Sequence, residues 1–140
     1  MQNEILAAPA VLIVWSIIVL VWMALTRFPA MARAGIDMRS RKGGRGQDLH
    51  GAIPDDVNWK AHNYTHLMEQ PTLFYAATII LAMVGYGKDA VIAAWIYVAL
   101  RIAHSLWQSL VNTIPVRFAL FLLSTFALAY LAVRALITAL

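Results

Sequence analysis

Four apolar runs set the limits on what this chain can fold into. They cover about residues 5–26, 57–84, 89–111 and 116–140, with short polar stretches between them. A helix needs ~20 mostly apolar residues to cross the ~30 Å hydrocarbon layer at a rise of ~1.5 Å per residue. The runs meet that length and far exceed the ~9–11-residue strands of a membrane barrel. Lipid offers no hydrogen-bond partner, so the backbone of each run must satisfy itself, as helices do. Composition removes the rivals. Hydrophobic residues make up 61% of the chain and charged residues 13%, against roughly 25% charged in a soluble domain. Disorder is excluded by the same apolar excess and by a net charge of only +4. A disulfide scaffold is excluded because there is no cysteine. The expected fold class is an all-α membrane protein: one domain over residues 1–140, built as a four-transmembrane-helix bundle.

The first run follows Met1-Gln2-Asn3-Glu4, a leader without basic residues, and it is longer than the ~7–15-residue apolar core of a signal peptide. It reads as a retained span, with Pro9 in its first turns, where a missing N–H matters least. Arg27, Arg33, Arg39, Arg41, Lys42, Arg45 and Lys60 all fall between the first two runs, whereas the next connection holds only Lys88. The positive-inside rule therefore expects the loop over about 27–56 to be cytoplasmic, with both termini on the non-cytoplasmic side. The Asn112–Pro115 connection is then cytoplasmic too. The stretch 35–56 is glycine-rich and reads as a flexible juxtamembrane loop whose charges set topology; attraction to anionic lipid or substrate is the alternative. Acidic neighbours and the lack of interleaved aromatics exclude a nucleic-acid partner.

Ionisable residues inside spans are rare and point to function. At 100° per residue, His62, His66 and Glu69 fall within about 60° of one another, with Asn58 on the same stripe. In the third run Tyr97, Arg101, His104, Ser105, Gln108 and Asn112 occupy an arc of about 100°. The fourth run adds Arg117, with Ser124 two turns on. These faces can meet in one cationic interior that suits a small anionic ligand, since the arginine fork matches carboxylates. Glu69 would offset part of the charge or grip an ammonium group. The structural alternative is a Glu69–Arg101 ion pair that fixes helix register. The spacing His62-x-x-x-His66 raises a metal site, but His104 is the one further histidine within the runs and a site needs more ligands. No metal is expected.

The chain resembles the MAPEG family, the membrane-associated proteins in eicosanoid and glutathione metabolism. One segment that carries the resemblance is Ala61-His62-Asn63-Tyr64-Thr65-His66-Leu67-Met68-Glu69-Gln70-Pro71-Thr72-Leu73-Phe74. It is similar to the family's second-helix signature. The other is Arg101-x-x-His104 followed by Pro115-x-Arg117. The resemblance implies a homotrimer with glutathione as co-substrate between subunits. It implies Arg117 and His104 as catalytic residues, and Arg33, His66, Glu69, Arg101 and Gln108 as ligand-binding ones, with Arg27 the fallback for Arg33. The chain departs from the family at His66, where Asn is usual, at Thr65, at Gln108, and at Phe118 and Phe121. The expected function is a glutathione-dependent transferase or peroxidase acting on lipophilic electrophiles that partition from membrane lipid. A non-catalytic trimeric scaffold or lipid-binding subunit is the alternative, and an ion pathway through Glu69 and the histidines a third class. The compact loops suggest a bacterial inner membrane.

Overall fold

The computed structural model describes residues 4–140 and bears out the helical reading. Helices α1 (Glu4–Arg33), α2 (Asp55–Leu67), α3 (Pro71–Val84), α4 (Lys88–Leu110) and α5 (Ile114–Ala139) follow in chain order, with a short 3-10 turn at Gly46–Leu49. The pair α2 and α3 makes up one span. Four segments are thus long and apolar enough to cross a membrane: Glu4–Arg33, Asp55–Val84, Lys88–Leu110 and Ile114–Ala139.

Two features differ from the sequence reading. The second span is not one continuous helix, because Pro71 can neither donate to the Leu67 carbonyl nor clear it. Helix α2 therefore stops at Leu67, and α3 restarts with Pro71 in its first turn, where the missing N–H does no harm. The connecting turn is tightened by the N–H of Met68 donating to the Thr65 carbonyl at 3.0 Å and that of Glu69 to the His66 carbonyl at 3.2 Å. The basic loop is the second difference. Its first residues continue α1 through Pro29 to Arg33, past the end of the apolar run. Further on, Leu49 and Ile53 are buried against Ala30, Met31 and Val57. Asp37 accepts the Arg39 N–H at 2.9 Å and the Ser40 hydroxyl at 2.8 Å, which closes a turn. Isolated apolar residues in a polar loop thus anchor it to the bundle.

The antiparallel order puts the end of α1, the start of α2, the end of α4 and the start of α5 at the loop end of the bundle. The opposite end is closed by Ile5, Ala8, Leu12, Leu81, Ala90, Ala94, Leu131 and Ala135, all buried. Toward the loop end the interior turns polar, with Asn58, Asn63, Arg101, His104, Ser105, Gln108 and Ser109 buried. Asn63 Nδ2 donates to Ser105 Oγ at 2.6 Å and Ser109 Oγ at 2.9 Å, tying α2 to α4. Trp15 Nε1 donates to the same Ser105 hydroxyl at 2.9 Å, which makes this tryptophan a clasp between α1 and α4.

Candidate functional site

The polar stripe of α4 faces inward, as its spacing predicts. Arg101 is 1% exposed and uses three donors. Its Nε donates to Tyr97 Oη at 3.1 Å, Nη2 to Gln70 Oε1 at 2.5 Å and Nη1 to His66 Nε2 at 3.0 Å. Tyr97 in turn donates to Gln70 Oε1 at 3.2 Å, and Gln70 Nε2 donates to Thr125 Oγ1 at 2.9 Å, which carries the network into α5. The guanidinium carbon lies 5.5 Å from the Tyr97 ring centre and 5.4 Å from that of Phe121. All these partners are neutral.

Glu69 and Arg101 form no ion pair within the chain. Glu69 sits in the turn between α2 and α3, its side chain 64% exposed, with Oε2 3.4 Å from His66 Nδ1. The break at Pro71 is the cause: it ends the α2 register, leaving Glu69 on the outside and bringing Gln70 in. Arginine can only donate, so His66 accepts at Nε2 and carries its proton on Nδ1, facing Glu69. The carboxylate therefore reaches Arg101 through the imidazole.

Beside this network lies an open cavity of about 290 Å³ lined by His66, His104, Gln108, Arg117 and an apolar wall of Ile114, Phe118 and Phe121. The rings of His66 and His104 lie 4.8 Å apart, centre to centre. Arg117 Nη1 donates to Asn112 Oδ1 at 2.7 Å, which holds the guanidinium at the rim. Asn112 itself has φ +57°, the left-handed conformation that ends α4 and that asparagine adopts more readily than most residues. Gln108 is buried and its Oε1 has no hydrogen-bond partner. An unsatisfied buried acceptor is unfavourable by ~1–3 kcal/mol, and with almost no exposed surface this oxygen meets a ligand N–H only if the side chain turns toward the cavity.

Of the residues singled out in the sequence, the fold brings His66, His104, Gln108 and Arg117 to this cavity, with Arg101 behind His66 and Phe121 and Glu69 at its outer edge. Arg33 is exposed at the end of α1 and does not line it, and Arg27 belongs to a different groove. His62 turns away from His66 and pairs with His50, Nε2 to Nε2, at 2.8 Å. Among the described residues no three His, Asp or Glu side chains converge on a metal position. Ser124 is buried but donates to the Phe121 carbonyl at 2.8 Å. Gln70, Thr125 and Asn63 were not read as site residues. A signal for Gln70 existed, in an amide beside the proline that breaks the helix.

The MAPEG family profile matches residues 5–137, nearly the whole chain. The chain belongs to the MAPEG family. No curated protein and no solved structure matches it significantly. MAPEG proteins are generally trimeric membrane proteins, and the family includes both glutathione-dependent transferases and members without catalytic activity. Membership in MAPEG and the four spans together make this an integral, multi-pass membrane protein.

Proposed function

We propose that the protein is a membrane-bound glutathione-dependent transferase or peroxidase acting on lipophilic electrophiles, with glutathione held between subunits of a homotrimer. The reading is carried by the pairing of groups on the cavity wall. Arg117 offers a cation for a carboxylate, and the Gln108 side chain, which lines the cavity, offers an acceptor for an amide or ammonium once its buried, unpartnered Oε1 turns outward. A short peptide with carboxylates, N–H groups and a thiol satisfies both. At about 290 Å³, the cavity of one protomer lies at the small end of the ~300–1,000 Å³ of small-molecule sites, which suits a half-site completed by a neighbouring subunit. Bound glutathione supplies the thiol nucleophile.

The residues then divide the work. Arg117 and Arg101 create a positive field that favours a thiolate, since opposite charge within ~4–6 Å stabilises the anion whereas burial opposes it. The thiol proton leaves to water at the open mouth of the cavity, and a neutral His104 on its wall can hydrogen-bond the sulfur. Glu69, acting through His66, tempers the field from the edge. Phe118 and Phe121 form the apolar wall against which an electrophile from the bilayer lies. They also leave the sulfur without a hydroxyl donor from α5, and this favours slow conjugation; it equally supports the second reading, a non-catalytic trimeric scaffold or lipid-binding subunit. The excess of Lys and Arg between the first two spans supports a cytoplasmic loop end with both termini outside, and the compact loops suit a bacterial inner membrane.

Ultraviolet difference spectra recorded as glutathione is added at several pH values test the enzyme reading. The bound thiol should ionise at lower pH than the free one. Binding without a thiolate band near neutral pH would leave the scaffold reading in its place.

A further inference from the structure

A second groove, of about 280 Å³, runs between α1 and the glycine-rich loop, and the proposed chemistry makes no use of it. Arg27, Arg41 and Arg45 line it together with Met23, Phe28 and Met38. Among the described residues none of the three arginines forms an ion pair. Asp48 is the one acid in the lining, and its Oδ2 already accepts the Arg45 N–H at 2.8 Å. Positive charge therefore exceeds negative in the groove. Arg27 is held against the loop, with Nη2 3.5 Å from the Gly46 carbonyl and a buried Nε that has no partner. A Cβ at position 46 would stand 3.0 Å from Arg27 Nη1, so glycine lets the loop backbone close over the guanidinium.

The apolar side of the groove continues along α1. Phe28 (59% exposed) heads a stripe with Leu25, Val21, Ile18 and Val14, all exposed and spaced at the three- and four-residue steps of one helix face. From Val14 to Phe28 that stripe rises ~20 Å at ~1.5 Å per residue, more than the ~15 Å half-thickness of the hydrocarbon layer. A cationic pocket therefore sits at the head of an open hydrocarbon track, at the point where the apolar run gives way to basic sequence.

We propose that this groove binds an anionic phospholipid, with the arginines holding the phosphate and an acyl chain lying along the stripe. The guanidinium fork suits phosphate oxygens. A zwitterionic headgroup would bring an ammonium into a site that already has excess positive charge.

Native mass spectrometry of the full-length protein in mild detergent, titrated separately with phosphatidylglycerol and phosphatidylcholine, tests this. Phosphatidylglycerol should bind at about tenfold lower concentration. The double variant Arg41→Gln with Arg45→Gln, at exposed loop positions where the fold tolerates change, should lose at least fivefold of that affinity. Arg39→Gln with Lys42→Gln removes the same charge from the same loop outside the groove, and should lose less than twofold. Equal losses in the two variants would reduce the effect to a diffuse basic field and overturn the site. Inorganic phosphate displacing the lipid at equal concentration would show a phosphate pocket without a lipid track, and would overturn it too.

Discussion

At the end of the bundle away from the loop, the spans meet through Ile5, Leu12, Leu81, Ala94 and Leu131, whereas at the loop end they meet through Asn63, Ser105, Arg101, His66 and Gln70. The two ends differ in what they specify. In lipid, apolar side chains gain little from facing one another over facing acyl chains, so the first end supplies close packing without a strong choice of register. The second end supplies donors and acceptors that are matched in only one arrangement. The matching is incomplete at the buried Asn58 Oδ1, Asn63 Oδ1 and Gln108 Oε1, and beside the last of these, at the Arg117 rim, the interior opens into a cavity. The site thus begins where the polar clasp runs out of partners of its own.

Arg101→Leu should be the most damaging single change. It removes the donor to Gln70, His66 and Tyr97 at once, and unsatisfied buried groups cost ~1–3 kcal/mol each. A loss of about 3 kcal/mol is expected in detergent unfolding. Leu131→Ala, at the apolar end, should cost about 2 kcal/mol, at the low end of the ~2–5 range for leucine truncations in cores, because neighbouring helices in lipid can close on the gap. If Leu131→Ala proves the worse of the two, the polar end is not the stronger clasp and the comparison inverts.

Asn63→Ala comes next. Two hydrogen bonds from one amide to Ser105 and Ser109 are lost, and interhelical bonds in membranes average ~0.6 kcal/mol with a maximum near ~1.7, so about 1 kcal/mol is expected. The change should be non-additive with Ser105→Ala, since the two residues share one bond. Additive melts of the double variant would mean that α2 and α4 are held by packing alone. Glu69→Gln should move stability by less than about 0.5 kcal/mol, the usual bound for an exposed site. A larger loss would restore the direct carboxylate–arginine pairing that the spacing suggested.

That pairing shows how far the sequence could be read. The stripe from Tyr97 to Gln108 was legible because a single uninterrupted helix carries it, and period alone then decides which residues share a face. The Glu69–Arg101 pair, the structural alternative, fails to form within the chain for the same reason. The place of Glu69 on the face of His62 and His66 holds only if the helix continues, and Pro71 breaks it within the signature itself. The proline was visible, but the direction of the chain across the break was not, because that depends on how α3 packs against α4 and α5. His50 illustrates a second limit. Nothing local ties it to His62, and the pairing arises from a loop that Leu49 and Ile53 fasten to α1 and α2. The family resemblance was legible from short motifs because they carry the charged residues that lipid makes conspicuous. The Arg27 groove was not, since it needs a glycine on the loop to meet an arginine on α1.

The smallest effect on the fold should come from Arg117→Gln, and it is the most informative about the cavity. Arg117 is half-buried at the rim, and among the described residues its side chain has one hydrogen bond, to Asn112 just before the helix. A glutamine can still donate to that side chain, so the ligand-free melting temperature should stay within about 1 °C of the wild type, in keeping with a stability change of a few tenths of a kcal/mol. Glutathione, binding only the folded protein, should raise the wild-type melting temperature by mass action, at about 2.7 kcal/mol when present at a hundredfold excess over its dissociation constant. The variant should lose most of that shift, because its neutral amide cannot replace a cation beside a carboxylate. A retained shift would take the carboxylate contact away from Arg117 and leave Arg101, reached through His66, as the cation the ligand senses. The polar clasp and the ligand site would then be one structure, and Arg101→Leu would have to abolish binding as well as stability.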